Sequence, residues 1–190
     1  MRMRMETLNQ TIRKCNRCRL SETRINALCG EGNPDAKLML IAQAPGEKED
    51  REGKMFIGPS GKVLEELLTT ADIDREQIYM TNLIKCMLPK YRKPKADEIE
   101  ICSHYLDCEI ELINPEVLVP LGYYAAGYVF GKYGISLPPR PEIHRIYGEF
   151  FGAGNRRILP LRHPAALLYH SSIRGEITRN YVKMKMLLGD

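Results

Sequence analysis

Apolar residues along the chain fall into two patterns. Short unbroken runs, Leu38-Met-Leu-Ile-Ala42, Ile78 to Thr81, Val117-Leu-Val119 and Arg157-Ile-Leu-Pro-Leu161, suit buried strands, the first of them following the turn-forming Asn33-Pro34-Asp35. Between them the spacing changes to three and four. Val63, Leu64, Leu67 and Leu68 share one face of a helix that Ser60 can cap and that runs to about Thr70. Ile99, Cys102, Leu106, Ile110 and Ile113 mark a longer amphipathic helix from Ala96, ended by Pro115. A further helix is expected over Tyr123-Tyr-Ala-Ala126 after Gly122, and a closing one from Ile177 to Leu188. Alternating strands and helices predict a three-layer α/β/α sandwich around a mainly parallel, four-stranded sheet. Without repeats or long linkers, residues 1–190 form one domain with a short N-terminal appendage. In such folds sites gather at the carboxyl ends of the strands. Gln43 to Gly46, Asn82 to Lys85 and Arg162 to Leu168 are therefore the segments of interest.

Composition narrows the class. With 190 residues, 44% hydrophobic and 27% charged, the chain can bury roughly 70% of its unfolded surface without disulfide staples. Its first residues lack the apolar stretch of a secretory signal. The longest uncharged segment, Val117 to Gly131, is 15 residues broken by Pro120 and Gly122, short of the roughly 20 that span a bilayer. A reduced, cytoplasmic protein with no membrane partner is expected, in which six cysteines are metal ligands, catalytic groups or core fillers. The net charge of +4 is too mild to identify a partner. Lys85 to Lys95, however, carries five cations, no acid and two prolines: an exposed basic loop, read either as a solubilising turn or as a strip for phosphates.

Cys15-Asn-Arg-Cys18 is a chelating pair without a second pair of the same spacing; Cys29, Cys86, Cys102 and Cys108 are scattered. An iron–sulfur cluster accommodates separated ligands more readily than a structural zinc site does. Zinc and unliganded thiols remain open on this pattern alone.

The motifs Ala42-Gln-Ala-Pro-Gly46, Glu49-Asp50, Met55-Phe-Ile-Gly58 with Gly61, Thr81-Asn-Leu-Ile-Lys-Cys86 and Arg162-His-Pro-Ala-Ala-Leu167, in this order, closely resemble those of the family 4 uracil-DNA glycosylases. The resemblance runs from about Cys15 to Leu168. It implies a [4Fe-4S] cluster on Cys15, Cys18, Cys86 and Cys102, ordering the basic loop, and leaves Cys29 and Cys108 as core residues. It also implies a monomer that flips uracil out of DNA and cuts its glycosidic bond, beginning base-excision repair.

Under that resemblance His163 stabilises charge on the departing base, and Asn82 reads uracil through one amide that both donates and accepts. Phe56 stacks on the base, and Gln43, Ala44 and Gly46 offer backbone N–H groups. Leu167 is the apolar wedge, with Leu168 or Tyr169 as substitutes, and Lys85, Arg92 and Lys93 meet phosphates. The chain departs from the family at Gln43, where Glu is usual, and Gln43 cannot act as a base. Glu47, Glu49 or Asp50 then has to help, or catalysis rests on electrostatics and positioning; the motif favours Glu49 as the supporting carboxylate, giving the catalytic set His163, Gln43 and Glu49. No His occurs between Pro89 and Pro94, so no covalent DNA adduct is expected. The changed polarity at Gln43 keeps two alternatives in view: excision of other deaminated bases such as hypoxanthine or xanthine, and a catalytically weak iron–sulfur DNA-binding module.

Overall fold

The structure, a computed structural model, describes residues 2–188. Helix α1 (Arg2–Arg13) leads through a cysteine-bearing loop to β1 (Glu31–Gly32) and β2 (Leu38–Ala42). There follow α2 (Glu47–Glu52), α3 (Pro59–Thr70), β3 (Tyr79–Asn82), α4 (Ala96–Ile113), β4 (Val117–Pro120) and α5 (Tyr123–Lys132). The chain closes with β5 (Phe151–Ala153), β6 (Arg156–Ile158), α6 (Ala166–Tyr169), α7 (Arg174–Val182) and α8 (Lys185–Leu188). The sheet order is β1-β3-β2-β4-β6-β5, with β3, β2, β4 and β6 parallel and β1 and β5 antiparallel at the edges. The expected α/β/α sandwich and its four parallel strands are present; among the described residues the strand count rises to six. The two added strands are two and three residues long and half-exposed, too short for a hydrophobic run to announce them.

β2 shows why the interior strands read as continuous apolar runs. Met39 and Ile41 pack with Ile12, Leu106, Ile110 and Phe130 on one face, whereas Leu38 and Leu40 pack with Leu64, Leu67 and Tyr181 on the other. Successive side chains of a strand point to opposite faces, and helices cover both, so no position is left polar. Among the described residues no helix is long and apolar enough to cross a membrane.

Four local expectations change. The N-terminal segment is helical: Met5, Leu8 and Ile12, at helical spacing, pack against the α4 side of the sheet. Between Gln43 and Pro59, where the apolar pattern predicts no element, lies α2. Helix α3 starts at Pro59 with Gly58 at its N-cap, because proline fits the first helical position, so Ser60 lies inside rather than capping. The closing helix is two pieces, α7 and α8.

Beyond the strand ends the ladder continues into the loops. Leu83 and Ile84 N–H donate to the carbonyls of Ala42 and Gln43 (2.8 and 2.9 Å), and Gly122 N–H donates to Leu161 (2.8 Å). These bonds bring the loops after β2, β3 and β6 to one edge of the sheet.

Candidate active site and cysteine cavity

At that edge lies a cleft of about 580 Å³. Gln43, Ala44, Gly46, Glu49, Phe56, Asn82, Arg92 and His163, all singled out from sequence, line it together.

His163 supplies a defined donor. Its Nδ1 accepts from the Ala165 N–H (3.2 Å), so the neutral ring carries its proton on Nε2. Burial pushes its pKa down to about 4, which keeps the ring neutral near pH 7. Gly122 takes a positive φ (+84°), which side chains rarely adopt, where the loop after β4 passes beside His163.

Asn82 is buried at the end of β3, and its Nδ2 donates to the Met55 Sδ at 3.1 Å. A thioether is a weak acceptor, so this amide can exchange it for a better one. The Phe56 and His163 rings are 6.1 Å apart between centroids and tilted by 30°. Phe56 holds a left-handed backbone, φ 51°, which L residues with bulky side chains rarely adopt. Two partners stabilise it. Arg75 donates to the carbonyls of Met55 and Phe56, and Gly61 allows α3 to seat against the Phe56 carbonyl, which a Cβ there would meet at 1.9 Å. Arg75 carries no motif signal and was not foreseen.

Glu49 and Asp50 are both buried. Glu49 Oε1 accepts from Ile57 N–H (3.0 Å) and Gly58 N–H (2.7 Å), and its carboxylate lies against Gly46. It thereby ties the loop after β2 to the Phe56 loop. Asp50 accepts from the Ile25 and Asn26 N–H groups at 3.0–3.1 Å, fastening the N-terminal segment to α2.

Two expected DNA contacts are corrected. Lys85 is 1% exposed and points into the protein, where Glu109, Thr81 and the Asn82 carbonyl surround its ammonium. Leu167 is buried in the core beside α7; one turn of α6 places Leu168 and Tyr169 outward instead, 44% and 79% exposed, both on the cleft. Lys93 is exposed, outside the cleft lining. Arg92 forms a two-pronged pair with the buried Glu98 (2.8 and 2.5 Å), and this guanidinium holds the Glu98 carboxyl below its usual pKa range. The basic loop is thus ordered by α4. Its Tyr91, also unforeseen, reaches across the cleft to Glu47 (3.2 Å).

A second, enclosed cavity is lined by Cys15, Cys18, Cys86 and Cys102, with Ile12, Leu20 and Tyr105 around them. Cys29 and Cys108 lie elsewhere and are half-buried. Arg24 donates to the Cys86 Sγ (3.2 Å), and the Lys85 N–H to the Cys102 Sγ (3.2 Å). Burial raises the Cys102 thiol to about 12 and that of Cys86 in the same direction, so without a bound centre these are protonated, unreactive thiols. Among the described residues no three His, Cys, Asp or Glu side chains close to single-ion spacing. Thiolates about 2.3 Å from one zinc would lie within roughly 4 Å of each other. Four thiols around an apolar cavity, with N–H donors and a guanidinium on the sulfurs, are compatible with an iron–sulfur cluster.

Residues 29–184 match the family model of the uracil DNA glycosylase superfamily. Among curated proteins, the type-4 uracil-DNA glycosylase of Saccharolobus solfataricus is 39% identical over 97% of this chain and 86% of its own length. That of Archaeoglobus fulgidus is 34% identical, covering 97% and 95% respectively. That of Thermotoga maritima is 36% identical over 88% of this chain and 85% of its own.

Proposed function

The chain belongs to the uracil DNA glycosylase superfamily, and from that premise we propose that it removes uracil from DNA by hydrolysing the glycosidic bond, leaving an abasic site. The observation that carries this reading is the convergence of a neutral His163 donor, the Asn82 amide and the Phe56 ring on one cleft.

The base enters the cleft out of the stack, and Phe56 covers its face. Asn82 exchanges the Met55 sulfur for uracil O4 and accepts from N3–H with its own oxygen; cytosine presents the opposite pattern and leaves both groups unpaired. As the C1′–N1 bond lengthens, its electron pair stays with the base, and charge gathers on O2. His163 Nε2–H, held by the Nδ1 contact to Ala165, donates to that oxygen without transferring its proton. Water adds to C1′ and releases its proton to solvent. Glu49, with Oε1 already committed to two N–H groups, acts by holding the two loops in register, and Gln43 contributes as a polar wall and through its backbone.

Cys15, Cys18, Cys86 and Cys102 would hold a [4Fe-4S] cluster, which supplies a structural tie between the N-terminal segment, the end of β3 and α4. Arg24, which donates to the Cys86 sulfur, would offset part of its negative charge. Arg92 and Lys93 face DNA phosphates, and Leu168 with Tyr169 takes the wedge role expected of Leu167. One domain acts as a monomer on uracil-containing DNA in the cytoplasm.

The test is single-turnover excision from a uracil-containing oligonucleotide by the wild type, Asn82→Ala and His163→Ala, with iron content measured on each. Loss of abasic product in both variants with iron retained is expected. Full activity in His163→Ala would remove this mechanism.

A further inference from the structure

Lys85 lies beneath the cleft rather than on its rim. Its ammonium spends all three donors on the Glu109 carboxylate (2.6 Å), the Thr81 hydroxyl (2.6 Å) and the Asn82 carbonyl (2.9 Å). Glu109, 0% exposed on α4, also accepts from Thr81 Oγ1 (2.6 Å) and the Gly30 N–H (3.1 Å). The backbone of Lys85 is equally committed: its N–H donates to the Cys102 sulfur, and its carbonyl accepts from Leu28 N–H (2.7 Å).

A buried ion pair is costly to desolvate, and well-packed apolar residues commonly replace one without loss of stability. This pair meets a specific need. β1 pairs with β3 only at Tyr79 and Met80, so past Met80 that side of β3 has no neighbouring strand among the described residues. The Asn82 carbonyl, buried there, takes its hydrogen bond from Lys85. Its orientation sets that of the whole residue, including the amide aimed into the cleft.

We propose that Lys85 is a positioning residue: with Glu109 it locks the strand end carrying Asn82 to α4 and to the wall of the cysteine cavity, holding the amide in the plane of the base. The proposal rests on the reading of Asn82 as the base-reading group. It assigns separate tasks to one residue, the ammonium acting on Asn82 and the backbone N–H on Cys102.

The experiment is a double-mutant cycle of Lys85→Met and Asn82→Ala on the full-length, cluster-loaded protein, with excision kinetics, DNA affinity against salt, iron content and melting temperature. Losing a charged hydrogen bond at Asn82 predicts a fall in kcat/KM on the order of tenfold to a hundredfold for Lys85→Met. The double variant is expected to be no slower than Asn82→Ala, because Lys85 acts through Asn82. Iron content should hold, since the backbone N–H remains, and the salt slope of DNA binding should not change. Additive losses would overturn the proposal. A salt slope lowered by about one would do so too, because it would make Lys85 a phosphate contact. Full activity of Asn82→Ala would instead remove the base-reading premise. If Lys85→Met does not melt cooperatively, Thr81→Val replaces it in the cycle and the same additivity decides.

Discussion

Gly61→Ala makes the seating of α3 on the Phe56 carbonyl measurable. A Cβ at position 61 would lie 1.9 Å from the Phe56 oxygen and 2.2 Å from its carbonyl carbon. Side-chain carbons do not approach closer than 3.0 Å, so the loop and helix must separate by about 1.1 Å. The opposing atoms are backbone, and no flexible side chain can yield. Phe56 cannot absorb the shift in place, because its left-handed backbone is already held by Arg75, which donates to the same carbonyl. Overpacking of this kind costs about 1–3 kcal/mol, which for a chain of this size lowers the melting temperature by roughly 2–12 °C. The larger effect is on chemistry. A displacement near 1 Å of a group that positions the substrate costs on the order of a hundredfold in rate. Single-turnover excision at saturating enzyme, beside a thermal melt, separates the two effects: the variant should stay folded at 25 °C and be slower by about two orders of magnitude. A folded Gly61→Ala protein within threefold of wild type would refute the claim that the Phe56 loop must sit where it does.

Other consequences are equally specific. Leu167→Ala, in the core, should cost about 2–5 kcal/mol in denaturant unfolding, whereas Tyr169→Ala, on the surface, should weaken binding of uracil-containing duplex with unchanged stability. Glu49→Ala leaves the Ile57 and Gly58 N–H groups without their acceptor and should cost about 1–3 kcal/mol, read from the same unfolding curves. His163, with its pKa near 4, should leave the excision rate flat from neutral pH to about 5, with an acid limb toward 4 that His163→Ala lacks. Stability responds in the same region: the unfolded chain takes up this proton near the ordinary value of 6.5 and the folded one near 4, so stability falls as pH drops between them. Cys86→Ala should lose iron on purification, while Cys29→Ala and Cys108→Ala should retain it.

The interior strands, long helices and cleft residues were legible because each rests on a local pattern: continuous apolar runs, three-and-four spacing, and motifs at strand ends. Lys85 and Leu167 were misplaced for a shared reason. Both stand in segments that do face the cleft, and whether one side chain points out or in is decided by partners distant in sequence, Glu109 on α4 for Lys85 and the α7 face for Leu167. The same distance hid Arg75, 19 residues from the carbonyl it supports. The edge strands were missed because they are short and bury little. The N-terminal helix was not beyond reach, since Met5, Leu8 and Ile12 have helical spacing, but its charged flanks obscured the stripe.

The most direct measurement is the choice of base. Oligonucleotides alike except for one uracil, cytosine, hypoxanthine or xanthine are incubated with iron-loaded protein, then treated with alkali to break the strand at abasic sites. An amide at Asn82 that donates to O4 and accepts from N3–H predicts product from uracil, none from cytosine, and far less from the two purines. Product from hypoxanthine or xanthine exceeding that from uracil, or binding of DNA without any abasic product, would contradict it.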